Sequence, residues 1–294
     1  MTSGIRDGGL GKREPVVPIP HPTARIPVLC YHRIGGALEL GVTRVGRGVF
    51  ARQMTALAKG GWRALTLDAV AQAGGSSQSA SPNPQSAFLL SFDDGYASTA
   101  ETAFPVLADL GFTAITFLVT DYIGRENTWD VRYTWRRQRH LDWRAIERWA
   151  GRGFSFQSHT RTHRRLTWLS DREAGDELAR SRETLVQRLG EGAGIALAYP
   201  FGAADRRVRA LAREAGYRMG FGAPSARGGD PFAIPRTPVY MWDAWDVPFG
   251  LREDLLGKVG RGVADVANQC AVGTSVMLGL LSRQQSAVSH QQPL

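Results

Sequence analysis

Ala87-Phe88-Leu89-Leu90-Ser91-Phe92-Asp93-Asp94-Gly95-Tyr96 decides the fold. Its uncharged first part reads as a buried strand. Two adjacent carboxylates stand at the end of that strand, before a glycine that permits a sharp turn. Ser98-Thr99-Ala100-Glu101 has the form of a capping box and opens a helix towards Leu110, which Gly111 ends. Ala114 to Val119 is the next apolar run. Strand, helix and strand in this order make a βαβ unit with parallel strands and a right-handed crossover.

The same alternation extends both ways. Upstream, Ile26 to Tyr31 reads as a buried strand, and Phe50 to Ala58 has helical spacing that stops at Gly60-Gly61. Gly74 to Ser86 is a Ser/Pro/Gln loop. Downstream, Asp142 caps a helix to Ala150, and Phe154 to Phe156 forms a strand. Ser170-Asp171-Arg172-Glu173 is a second capping box, starting a helix to Leu189. Then come a strand at Ile195 to Tyr199, a helix at Asp205 to Ala215, and strands at Tyr217 to Phe221 and Phe232 to Val239. Strands alternating with helices predict a parallel α/β barrel or wound sheet. Functional groups in such folds gather at the carboxyl ends of the strands.

Composition narrows the class. The chain of 294 residues can bury a sizeable core, and its formal charge of +9 comes almost wholly from arginine. Arginines cluster at Arg132, Arg136, Arg137 and Arg139, and again at Arg206, Arg207, Arg209 and Arg213. No nucleic-acid-binding motif accompanies them, so solvated surfaces are expected; a basic face is also compatible with peripheral association at an anionic membrane. No apolar run is long enough to span a bilayer. Met1 to Arg6 lacks the apolar core of a secretory signal, which makes a cytoplasmic location the expectation. The cysteines, Cys30 and Cys270, cannot build a disulfide framework, and Cys30 reads as buried filler rather than a ligand. Nothing in the chain sets an oligomeric state.

The chemistry lies in two segments that both follow predicted strands, Ser91 to Tyr96 and Ser158-His159-Thr160-Arg161-Thr162-His163. Asp93 and Asp94 repel each other, and a divalent cation would relieve this by binding one and leaving the other to move protons. Histidines four apart share a face if the chain makes a helical turn there. One carboxylate and two imidazoles with an open fourth position is the layout of a hydrolytic metal site. Alternatives stay open at this level: Asp-Asp-Gly is also a common surface turn, and two histidines can have structural roles. His32 follows a buried strand that has no need of it, whereas His21, His140 and His290 are assigned nothing. Trp129, Trp135, Trp242 and Trp245 lie in irregular connections, where they serve either as sugar-stacking faces or as packing.

These segments resemble the polysaccharide deacetylases with the NodB-homology domain. Ser91-Phe92-Asp93-Asp94-Gly95 and Ser158-His159-Thr160-Arg161-Thr162-His163 look like that family's first two motifs, and Ala198-Tyr199-Pro200-Phe201-Gly202 like its third. Pro27 to His32 and Pro235 to Val239 are similar to the poly-N-acetylglucosamine deacetylase branch. The resemblance implies a distorted (β/α) barrel that hydrolyses N-acetyl groups from an amino-sugar polymer or glycoconjugate. It implies Asp94, His159 and His163 as ligands of a divalent metal, usually zinc, and Asp93 as general base. It also implies an oxyanion contact from the Phe201 N–H and His32 as proton donor. Two departures stand out: the third motif begins with Ala198 where arginine is usual, with Arg236 as the hypothesised replacement, and Gly273 to Leu281 lacks the family's late histidine. The expected organisation is a flexible arm at 1–24, a catalytic domain at 25–250 and a C-terminal extension at 251–294. The rival readings are a deacylase or amidohydrolase acting on another amide or ester, and a catalytically impaired glycan-binding module.

Overall fold

The computed structural model describes residues 26–36, 43–73, 87–128, 138–223, 230–243, 246–248, 251, 260 and 262. The expected arm, the 74–86 loop, Trp129, Trp135, Trp245, the first arginine cluster apart from Arg139, and nearly all of the expected extension lie outside the described residues. In chain order the elements are β1 (Val28–Tyr31), β2 (Arg33–Ile34), β3 (Arg44–Val45), α1 (Arg47–Lys59), β4 (Arg63–Ala64) and α2 (Leu67–Ala73). Next come β5 (Ala87–Phe92), α3 (Ala97–Asp109), β6 (Ile115–Leu118), α4 (Trp143–Ala150), β7 (Ser155–Ser158) and α5 (Asp171–Leu189). The last are β8 (Ala196–Ala198), α6 (Arg206–Glu214), β9 (Met219–Gly222), β10 (Ile234–Pro235) and β11 (Thr237–Pro238).

One sheet runs β10-β9-β8-β7-β6-β5-β1-β11, with β4 beside β5. Every pair is parallel. The single run expected over Phe232 to Val239 is in fact broken at Arg236: β10 pairs with β9 at one end of the sheet, and β11 with β1 at the other. That one short segment therefore closes the sheet into a distorted (β/α) barrel.

Parallel strands buried on both faces read as apolar runs, and β1, β5 and β6 are buried at every residue. Their side chains alternate. Val28, Leu89, Ile115, Phe117, Ala196, Ala198, Met219 and Phe221 form one cluster with Leu67 and Val70 of α2. The other face of the same strands supplies Leu29, Tyr31, Leu90 and Phe92, which pack with Phe50 and Met54 of α1 and Phe104 of α3.

Helix starts show where local chemistry wins. Asp142 and Asp205 cap α4 and α6, accepting from Ala145 N and Val208 N. The capping box at Ser170 and Glu173 is complete. The one expected at Ser98 and Glu101 does not form, because α3 begins earlier, after Tyr96. The sharp turn behind Asp93 brings the chain into helix two residues sooner, and the Thr99 hydroxyl instead donates to His32 O.

Candidate active site

The residues offered from sequence for catalysis and metal binding lie at or just beyond strand ends on one rim of the barrel. His32 follows β1, Asp93 and Asp94 follow β5, His159 follows β7, Phe201 lies in the turn after β8, and Arg236 separates β10 from β11. Asp93 N still pairs with Tyr31 O at 2.9 Å and His159 N with Leu118 O at 2.8 Å, so the sheet itself fixes where these side chains start. Beyond those points the backbone breaks. Among the described residues, the non-glycine positions with positive φ are Asp94 (70°), Thr160 (67°), His163 (64°) and Phe201 (59°), all of them in the site. Such strain persists only where surrounding structure enforces it. Gly95, at φ 73°, completes the first turn, and a Cβ there would sit 2.6 Å from Leu118 Cδ2.

Asp94 Oδ1 lies 3.6 Å from His159 Nε2 and 3.5 Å from His163 Nε2. These separations are long for hydrogen bonds. They match three ligands of one cation, since bonds of about 2.0–2.2 Å in a tetrahedral set put ligand atoms roughly 3.3–3.6 Å apart. His159 Nδ1 lies 2.8 Å from Ala198 O, so donation there leaves Nε2 as the free base aimed at Asp94. Burial lowers the pKa of both imidazoles, with His159 adding to the effect on His163; both are neutral at pH 7, as metal ligands must be. The chain makes no helical turn between the two histidines, the condition under which their spacing would have put them on one face. They converge instead through a tight turn with Thr160 and His163 in the left-handed region. A helix would have carried the chain away from β8, on which His159 leans.

Asp93 stands beside the same imidazole, its Oδ2 3.8 Å from His159 Nε2, but it is held from another direction. Arg236 donates to both of its oxygens, NH1 to Oδ1 at 2.6 Å and NH2 to Oδ2 at 2.8 Å. Burial alone would raise the Asp93 pKa, but the Arg236 guanidinium and the neighbouring imidazoles of His159 and His32 reverse this and hold it well below the usual carboxylate range. The guanidinium thus reaches the acid from the break between β10 and β11, whereas Ala198 has no side chain that could bind it. Cys30, His32 and Asp93 also bring potential ligand atoms within 4.8 Å of one another. That set suits a cation poorly, because burial keeps the Cys30 thiol protonated and Arg236 already takes both Asp93 oxygens. His32 Nδ1 is buried without a hydrogen-bond partner, and burial lowers the ring's pKa to about 4. The Phe201 ring packs 5.0 Å from that of His163. Gly202 follows at φ 64°, where a Cβ would lie 2.7 Å from Ala223 N.

His140 carried no role in the sequence reading. Its ring is buried against Tyr96, with Nδ1 2.8 Å from Asp94 O, and so it holds the peptide behind the tandem acids. Only its distance in space from Asp94, invisible in a single sequence, gives it that place.

Residues 80–220 match the family model for polysaccharide deacetylase. A Bacillus subtilis protein named as a polysaccharide deacetylase, YxkH, is 28% identical over 197 residues, 67% of this chain. The chain spans 64% of the length of that relative. Among solved structures, the Streptococcus pyogenes deacetylase PplD in complex with acetate superposes with a TM-score of 0.65 at 20% identity, covering 76% of this chain and 95% of that one. IcaB from Ammonifex degensii superposes with a TM-score of 0.59 at 23% identity, covering 82% and 97%. At these identities the structures establish a shared barrel.

Proposed function

We propose, from the match of residues 80–220 to the polysaccharide deacetylase family model and from the geometry of the site, that the chain is a metal-dependent hydrolase that removes N-acetyl groups from an amino-sugar polymer or glycoconjugate. The observation that carries this reading is Asp94 Oδ1 standing 3.6 and 3.5 Å from the two imidazole nitrogens, with a second, separately clamped carboxylate alongside. Asp94, His159 and His163 would hold a divalent cation, zinc by donor type. When bound it supplies Lewis acidity, making water a nucleophile near neutral pH and polarising the acetyl carbonyl.

The chain's own groups do the rest. Asp93, kept ionised by Arg236, accepts the proton of the attacking water. Arg236 fixes both carboxylate oxygens, so the acceptor cannot swing away. His32, whose ring nitrogen lies within 4.8 Å of an Asp93 oxygen, donates a proton to the departing amine nitrogen. Its ring is neutral at pH 7 before substrate binds. As negative charge develops on the reacting amide, the ring takes up a proton from solvent, passes that proton to the nitrogen as the C–N bond breaks, and returns to the neutral form. The Phe201 N–H, at the strained turn after β8, supports the developing oxyanion, a contact worth about 3 kcal/mol.

The non-catalytic module drew its support from Ala198 and from the missing late histidine; Arg236 on Asp93 weakens the first of these. Metal content per chain, followed by acetate release from acetylated chito-oligomers with and without chelator, tests the proposal. Chelator-sensitive acetate release is expected. Bound metal with no acetate from any amino sugar favours a deacylase of another substrate.

A further inference from the structure

We propose that Glu177, a buried acid on α5, is a positioning residue that latches the turn between His159 and His163 and so sets how tightly the site holds a divalent cation. The inference rests on the ligand assignment above and extends it to a group that touches none of the ligands' metal-facing atoms.

The turn cannot satisfy itself. With Thr160 and His163 both in the left-handed region, the amides of Arg161 and Thr162 point towards α5 rather than to carbonyls of their own segment. Glu177 Oε2 accepts from both, at 3.1 and 2.8 Å, and Oε1 accepts from the Thr162 hydroxyl at 2.5 Å. Only 5% of Glu177 is exposed, and three donors from one turn converge on its carboxylate. α5 grips the same turn twice more. Ser181 Oγ lies 2.8 Å from Ser158 Oγ, which accepts from Thr160 N, and Asp176 pairs with the Arg161 guanidinium. Of these, Glu177 alone binds the backbone between the two histidines. A glutamine there can keep its oxygen on the two amides only by turning its N–H₂ to the Thr162 hydroxyl, which must then accept. It also loses the carboxylate charge that strengthens both amide bonds. Buried partners that orient ligands typically change metal affinity by about 10–100-fold when altered.

The test compares wild type, Glu177→Gln, Thr162→Val and a surface control, Glu183→Gln, each prepared metal-free. Zinc affinity is measured by competition with a chromophoric chelator, and amide exchange at Arg161 and Thr162 by NMR. Glu177→Gln should weaken zinc binding by about 10-fold or more, with Thr162→Val intermediate and Glu183→Gln unchanged. In metal-free protein the two amides should exchange roughly 10-fold faster in Glu177→Gln while amides in β5 and β6 keep their wild-type rates, which a general loss of stability would not produce. Zinc affinity within twofold of wild type, or unaltered exchange of both amides, overturns the proposal. A wild type that takes up no zinc overturns the ligand assignment instead, and the exchange measurement then decides the latch by itself.

Discussion

Two neighbouring aspartates diverge at residue scale because one keeps strand geometry and the other does not. Asp93 N is still paired to β1, while Asp94 adopts φ 70° and swings towards the histidines. Their partners then differ in part: His159 neighbours both acids, while the guanidinium clamps Asp93 and the second imidazole, His163, faces Asp94. Asp93→Asn should abolish acetate release while leaving metal content at the wild-type level, because Asp94 is untouched; loss of metal as well would mean the carboxylates share the cation. Arg236→Lys offers a point charge in place of a two-pronged donor, so Asp93 loses its fixed orientation. A fall in kcat of about 100-fold with little change in KM is expected, since misplacing a reacting group by an ångström costs about that much. Arg236→Ala goes further and leaves a buried carboxylate unpaired, costing about 3–5 kcal/mol of stability, readable from urea denaturation. For His32→Ala, kcat should drop by about 10²–10⁴ with metal retained, and unchanged turnover would remove it as proton donor.

At the scale of elements, legibility followed how local the determinant was. β5, α3 and β6 could be read because an apolar run, helix-forming residues and a second run are all contiguous in the chain. The starts of α4, α5 and α6 could be read because Asp142, Ser170 and Asp205 act within three residues. The start of α3 could not, because the turn behind Asp93 determines it. Nor could the break at Arg236: Phe232 to Val239 carries an ordinary strand pattern, and its division between β9 and β1 depends on the barrel closing there. The metal-ligand candidates were legible as motifs, whereas Glu177 and His140 were not, since each acts across a long stretch of chain. Ser170→Ala should cost about 1 kcal/mol, because it removes a formed cap at the start of α5, the helix that holds the turn between His159 and His163. Ser98→Ala should cost much less, since no cap forms there. Equal losses in thermal unfolding would contradict this placement of the helix starts.

Across the whole molecule, closing the barrel brings Asp93 and Arg236 together over 143 positions of sequence and gathers several ionisable groups into one dry rim. The rim therefore governs how the metal-free protein responds to acid. His32 and His140 are pushed down by burial to about 4 in the folded state, against about 6.5 unfolded. Above pH 6.5 neither state binds a proton at these sites. Between 6.5 and 4 the unfolded chain takes up protons that the folded one refuses, so stability falls as pH falls. The Asp93 pKa is also lowered, there because the ionised carboxylate is favoured, and its contribution is lost only below the usual carboxylate range, in more strongly acid solution. The window from pH 7 to 5 thus belongs to the histidines, and a 2.5-unit difference makes each worth roughly 2 kcal/mol at pH 5. His140→Asn retains a donor towards Asp94 O but cannot titrate. Urea midpoints of chelated wild type should drop markedly between pH 7 and 5, and in His140→Asn that drop should be smaller by roughly 2 kcal/mol. Equal drops in both proteins would mean that His140 accepts its proton without unfolding, and that the rim is more open to water than its burial indicates.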